Sequence, residues 1–207
     1  RFRKLMGERF CLNKSKEEIL WFINKYLYVD QNAANSIYNY FYEQFNYAQM
    51  PSDTRIIVEH FSGDRGKYVI FHSLYGRRVN DCLSRAVAYA IARTQHKDVE
   101  IGINDNGFYV LSEKKVDVMQ AFKLIKSKEL RKLMNLAIDQ TEVLKRRFRH
   151  CATRALMILK SYKGKTKRIG RQQVSSMILM NAVKRISNDF SILKEARREV
   201  LEDLMDI

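Results

Sequence analysis

The chain has 207 residues, 46% hydrophobic and 29% charged, with one proline and eight glycines. That composition suits a folded globular protein and excludes a disordered one, and no apolar run approaches the length of a membrane-spanning helix. Its 38 lysines and arginines against 23 acidic residues leave a formal net charge of +15, the balance expected of a partner of polyanions.

Residues 1–10 (RFRKLMGERF) show no readable period. Ser15 and Glu18 then form the S-x-x-E of a capping box, and Ile19, Phe22, Ile23, Tyr26 and Leu27 follow at helical spacing. A second helix is predicted from about Asp30, burying Ala34, Ile37, Phe41 and Phe45 and stopping at Pro51. It also carries Tyr38, Tyr40, Tyr42 and Tyr47. Such rings could stack on nucleobases, although aromatics at helical spacing more often belong to a core.

After Pro51 the period changes. Residues 54–61 (TRIIVEHF) and 67–73 (KYVIFHS) read as strands around a turn at 63–66. Residues 75–80 (YGRRVN) form a predicted loop carrying Arg77 and Arg78, after which Asn80 or Asp81 caps a helix to about Gln95 with Leu83, Ala86, Val87, Ala90 and Ile91 inward. Strands at 99–103 and 108–111 flank Asn104-Asp105-Asn106-Gly107, a hairpin signal because Asn and Gly tolerate positive φ. From Val116 onward the pattern is helical, with Val118, Phe122 and Ile125 in one stripe and Leu130, Leu133, Met134 and Ile138 in another. The fold class is therefore α+β, a small antiparallel β-hairpin sheet against a larger set of α-helices. Residues 1–50 form a helical lead-in and 51–207 the main domain.

Most of the excess charge lies in residues 145–171 (KRRFRHCATRALMILKSYKGKTKRIGR), which hold eleven Lys or Arg and no acidic residue; the remainder has 27 basic against 23 acidic. Such a cluster displaces condensed counterions from phosphates. On a helical wheel Leu144, Phe148, Cys151, Ala155 and Leu159 share one face, and Arg146, Arg149 and Lys160 project oppositely. Arg147 and Arg154 fall on a flank between them. Residues 161–171 form a predicted loop whose backbone N–H groups could add phosphate contacts. A further helix is expected to bury Val174, Met177, Ile178, Ala182 and Ile186. The last, over 192–206, should bury Leu193, Ala196, Val200, Leu204 and Ile207, with Glu195, Arg198, Glu199 and Glu202 outside.

The candidate strand contacts are thus Arg146, Arg147, Arg149, Arg154, Lys165, Lys167, Arg168 and Arg171, with Arg77 and Arg78 secondary. Gln172 and Gln173 could hydrogen-bond a strand or start a helix, and Arg147 or Arg154 could instead bridge to the acidic C-terminal helix.

Catalytic chemistry is not indicated. G-x-x-x-x-G-K-[ST] and G-x-G-x-x-G are both missing, and His60, His72, His96 and His150 lie in separate predicted elements. His150 and Cys151 are helix neighbours pointing about 100° apart, so they cannot pair. His60 and His72 could face each other across the first hairpin as a structural pair. Glu59, Asp64, Glu100 and Asp105 share no spacing that would hold Mg²⁺. No catalytic, metal or cofactor site is expected. Cys11, Cys82 and Cys151 are odd in number without C-x-x-C, which argues against disulfides and a zinc ribbon and for a reducing, cytoplasmic compartment. The chain opens on Arg1 without a signal peptide and reads as a piece of something longer.

Several blocks together resemble one family. VEHFSGDRGKYVIFHSLYGRRVN, VEIGINDNGFYVL, KRRFRHCATRALMILKSYKGKTKRIGRQQVSS and the terminal FSILKEARREVLEDLMDI resemble the large helicase-related (Lhr-type) ATP-dependent helicases, in the DEAD/H-associated domain that follows two motor domains and a winged-helix domain. The resemblance covers roughly 36–207, and earlier residues look like the end of the winged-helix region. Many bacterial relatives carry a tryptophan before the glutamine pair; Ile169-Gly170-Arg171-Gln172-Gln173 lacks it and looks more like the archaeal branch. The resemblance implies a superfamily 2 DNA helicase moving 3′ to 5′ and acting in DNA repair, with ATP and Mg²⁺ used by motor domains whose Walker A and DExH motifs are not in this chain. It also implies partners: single-stranded DNA (or RNA, or a DNA–RNA hybrid) and the motor and winged-helix domains. Two rival classes are a protein-interaction module using its basic face, and a concealed nuclease or glycosylase.

Overall fold

A computed structural model describes residues 1–166 and 168–207, with the side chain of Tyr162 excepted. Helices α1 (Phe2–Cys11), α2 (Lys16–Leu27) and α3 (Gln31–Tyr47) share a core of Met6, Phe10, Ile19, Ile23, Ala34, Phe41 and Met50. The capping box forms as expected: Ser15 Oγ accepts the Glu18 N–H at 3.2 Å and Glu18 Oε2 accepts the Ser15 N–H at 3.1 Å. Asp30 caps α3 through the Ala33 N–H at 2.8 Å. Helix α1, illegible in the sequence, exists because Met6 and Phe10, one turn apart, complete that core. Its N-terminus has no side-chain cap.

Strands β1 (Ile57–Gly63), β2 (Gly66–His72), β3 (Glu100–Asn104) and β4 (Gly107–Ser112) form an antiparallel sheet in the order β1-β2-β4-β3. Strand β1 begins three and ends two residues later than its apolar pattern suggested, whereas β2 lies one residue earlier than expected. The register of this first hairpin sets His60 opposite Val69 and His72 opposite Ile57, so the two histidines are not a cross-strand pair. The second hairpin is where it was expected, but for another reason. No residue of its turn has positive φ; instead Asn104 Oδ1 accepts the Asn106 N–H at 2.9 Å. Gly107 is needed because a Cβ there would collide with the Phe71 carbonyl oxygen on β2.

Helix α4 (Arg77–Gln95) separates the sheet from a helical layer. Val87, Ala90 and Ile91 meet Val69, Phe71, Phe108 and Val110, with the Phe71 and Phe108 rings stacked at 4.4 Å. Cys82 and Ala86 meet the helices beyond. The helix starts at Gly76 (φ 85°) rather than at Asn80, which places Arg77 and Arg78 in its first turn and not in a loop. Asn80 is fully buried and donates to the carbonyls of Ser73 and Asn104 at 3.1 and 3.0 Å. It clasps sheet to helix instead of capping.

The helical layer contains α5 (Val118–Lys123), a 3₁₀ turn (Ser127–Glu129), α6 (Leu130–Ile138), α7 (Glu142–Arg154), α8 (Ile169–Ile186) and α9 (Ser191–Arg198). Its core joins Met134, Ile138, Leu144, Phe148, Met180, Leu193, Val200 and Leu201. Here three expectations change. The loop after α7 holds a two-strand hairpin, β5 (Ser161–Tyr162) and β6 (Lys165–Thr166), turned at Lys163 and Gly164 with φ of 48° and 73°. On α8 the buried residues are Ser176, Met180 and Val183, while the expected Val174, Met177, Ile178, Ala182 and Ile186 are exposed. Apolar residues surround this helix, so periodicity could not choose the face. The C-terminal helix passes into a π-turn (Glu199–Leu204), and Glu199, expected outside, is buried.

Candidate nucleic-acid interface

Helix α7 carries the basic segment. Thr141 caps it, and Leu144, Phe148, Cys151 and Ala152 fix it to the core. The helix stops at Arg154, and Leu156 at φ 56° reverses the chain. Ala155 and Leu159, expected on the buried face, are therefore exposed, and Ile158 turns inward in their place.

The arginines of this helix divide into two sets. Arg147 and Arg154 both reach Glu199: Arg147 Nη1 lies 3.6 Å from Oε2, and Arg154 Nη2 donates to Oε1. Arg146 and Arg149 point instead into a cleft of about 200 Å³ between α7 and α8, which Gln173 and Met177 also line. Neither arginine side chain has a hydrogen bond or ion pair among the described residues, whereas Lys145 is held by Glu142 at 2.7 Å.

Lys165 sits exposed on the small hairpin and Arg168 and Arg171 at the start of α8, again without side-chain partners among the described residues. Lys167 lies outside the described residues. Arg171, Gln172 and Gln173 belong to the first turns of α8 and not to a loop. That N-terminus has Arg168 at the cap position, no acidic residue in its first turn and no side-chain cap. Cations at the positive pole of a helix cost about 0.3–1 kcal/mol each, a cost that a bound anion reverses.

The local field is positive. Partial desolvation, then Arg149, Arg147 and Lys160, hold the His150 pKa below its ordinary value. Of the secondary candidates, Arg77 is exposed and unpaired among the described residues. Arg78 is engaged, donating to the Glu202 carbonyl at 2.8 Å and pairing with Asp206 at 3.1 Å.

The acidic candidates for a metal do not converge. Glu59 lies 3.0 Å from His72 Nε2, Glu100 pairs with Arg65 at 2.8 Å, and Asp64 and Asp105 occupy turns of different hairpins. Burial raises the Cys151 thiol pKa and pushes that of Cys82 up to about 11, which suits inert core thiols rather than nucleophiles. Tyr40, Tyr42 and Tyr47 on α3 are exposed, and Tyr38 stacks on Tyr42 at 5.6 Å. The residue that sequence reasoning did not single out is Glu199. Its signal was indirect: the seven-residue spacing of Arg147 and Arg154 beside an acidic terminal helix.

Fold and surface together define an α+β module with a basic helical face. The chain belongs to the DEAD/H-associated family, whose model (DEAD/H associated) matches residues 50–207. It is 52% identical over 208 residues to the ATP-dependent helicase Lhr-Core of Methanothermobacter thermautotrophicus, covering 100% of this chain and 24% of that protein. The Lhr-Core helicase of Saccharolobus solfataricus is 39% identical, with the same coverage. Among solved structures, Mycobacterium smegmatis helicase Lhr bound to ssDNA and AMP-PNP superposes with a TM-score of 0.80 at 26% identity, covering 98% of this chain and 26% of that one. The chain spans about a quarter of the length of the relatives it matches. Their similarity runs through the first 35 residues, beyond the extent that the sequence blocks suggested.

Proposed function

We propose that this chain is a non-motor module of a 3′–5′ DNA helicase that binds and guides single-stranded nucleic acid along its basic segment. The observation that carries the reading is the division of that segment. Two arginines are committed to Glu199, while Arg146, Arg149, Lys165, Arg168 and Arg171 have no side-chain partner among the described residues. Cations left unpaired beside an uncapped helix start are free to neutralise phosphates. The ssDNA in the solved Lhr helicase supports the same ligand. Phosphate contacts alone do not separate DNA from RNA, so RNA and DNA–RNA hybrids remain within the proposed ligand class. ATP and Mg²⁺ would act in motor domains of a longer chain, with this module packed against those and a winged-helix domain. A cytoplasmic role in DNA repair completes the proposal.

A second reading, docking onto those domains or onto a repair protein, is favoured by the exposed apolar residues of α8. Val174, Met177, Ile178 and Ile186 are between 51% and 74% exposed, and an apolar patch of that kind marks an interaction surface.

Fluorescence anisotropy of a labelled single-stranded oligonucleotide across a salt series tests the first reading. Log K should fall with log salt at a slope of about −0.7 per phosphate contact. Replacing Arg146, Arg149 and Arg171 together by alanine should remove about two units of that slope. No binding even at low salt would overturn the reading and leave the docking role.

A further inference from the structure

Glu199 has no part in the strand-binding reading as it stands, yet the fold goes to some length to place it. It is 4% exposed, at the start of the π-turn and among Ala196, Val200 and Leu201. A carboxylate in such surroundings is desolvated, and a well-packed apolar residue often gives equal or better stability. Three consecutive buried residues, Glu199 to Leu201, span a wide arc on a regular helix. The extra residue per turn of a π-turn narrows that arc, and π-turns recur at functional sites. Both partners of the carboxylate come from the basic helix α7.

The pairing with Arg154 is lopsided. Glu199 contributes a side chain 5% exposed and Arg154 one that is 62% exposed. The guanidinium is anchored through a single nitrogen, Nη2, which serves both Glu199 Oε1 and Cys151 Sγ. Nε and Nη1 have no partner among the described residues. Arg154 is also the last residue of α7, where the chain turns toward the basic hairpin. The acid is hidden; the base is held still and half open.

We propose that Glu199 is a positioning residue for the strand site: it fixes the Arg154 guanidinium so that Nε and Nη1 face solvent, ready to donate to a backbone phosphate. Arg147, 3.6 Å from the other oxygen, steadies the carboxylate from the second side. A pre-set guanidinium loses less rotamer freedom on binding than a free one, which is how fixing a donor raises affinity. The inference rests on the strand-binding reading, and its test is separable from it.

The sign of one substitution decides the matter. Glu199→Gln removes a negative charge from beside a cationic surface, so electrostatics alone predicts equal or tighter binding of single-stranded DNA. Positioning predicts weaker binding, by about tenfold, the loss of one charge-assisted hydrogen bond. In an Arg154→Ala background the same substitution should cost nothing further. Two more variants carry the test should Glu199→Gln fail to melt cooperatively. Glu199→Asp keeps the charge but retracts it by one methylene, and Arg154→Lys keeps the buried acid but loses the second donor edge; each should weaken binding similarly. Unchanged or tighter binding by Glu199→Gln, or an equal loss with and without Arg154, would overturn the inference while leaving strand binding intact. A wild-type chain that binds no DNA would overturn both, and that is seen before any variant is compared.

Discussion

Lys184 Nζ lies 2.8 Å from Asp139 Oδ2 and 3.0 Å from the Asp139 carbonyl, fastening α8 to the end of α6 across 45 residues of chain. The other carboxylate oxygen accepts from Arg197 Nη2 at 2.8 Å, so one aspartate joins three helices. Burial by itself would raise the Asp139 pKa, but the hydrogen bonds and charges of Lys184 and Arg197 outweigh it and hold the carboxyl below its ordinary value. With the folded pKa below the unfolded one, its stabilisation is present above the unfolded pKa and is lost as pH falls through the folded pKa. Asp139→Ala should destabilise the chain by about 1–3 kcal/mol at pH 7. The difference from wild type should vanish in strong acid, which urea unfolding followed by circular dichroism at several pH values would register.

Asn80 offers a second test. Its amide reaches the carbonyls of Ser73 and Asn104 from inside the protein, and its oxygen accepts from Ser73 Oγ. Asn80→Ala removes these bonds, including those to the buried Ser73, at a cost of about 1–3 kcal/mol. Thermal melts should show the loss, while strand affinity at temperatures where the variant stays folded should be unchanged.

Two glycines should respond oppositely to alanine. At Gly107 the added methyl meets the Phe71 backbone, which cannot withdraw without parting β2 from β4. Destabilisation of at least about 2 kcal/mol is expected. At Gly170, in the first turn of α8, nothing lies within 4 Å of the added Cβ, and alanine should stabilise by about 0.5 kcal/mol through lower unfolded-state entropy. Paired melting curves separate close approach from conformational freedom.

His150 offers a probe of the proposed strand site. Desolvation and the charges of Arg149, Arg147 and Lys160 keep it neutral to lower pH than a free imidazole. Its folded pKa lies below the unfolded value, so its contribution to stability falls as pH drops through the unfolded pKa and levels off below the folded one. A bound phosphodiester strand would offset the arginine charges and favour the imidazolium. Titration by nuclear magnetic resonance should therefore show the His150 pKa rising when single-stranded DNA is added; a constant value would place the strand away from α7.

Much of the local structure was legible. The Ser15–Glu18 box, the Asp30 cap and the Asn104–Gly107 hairpin are each set by a few adjacent residues bonding to their own backbone, and such signals survive any tertiary context. The basic segment was equally plain, because charge along a chain needs no fold to be counted. So was the family, carried by short blocks of sequence.

What the sequence could not decide was which way ambiguous elements face. Helix α1 is visible only through partners on α2 and α3. Helix α8 is apolar on several sides, and only the position of α7 selects Met180 and Val183 over Ile178 and Ile186. The sequence set Arg147 and Arg154 apart from Arg146 and Arg149 and offered a bridge to the acidic C-terminal helix as one alternative, but only the packing realises that bridge, in both arginines, and picks Glu199 as the carboxylate. Local patterns are set by covalent neighbours. Faces, pairings and the burial of a carboxylate are set by residues distant in sequence that come together only when the three cores pack, and that is where the paired arginines of α7 part from those with no partner among the described residues.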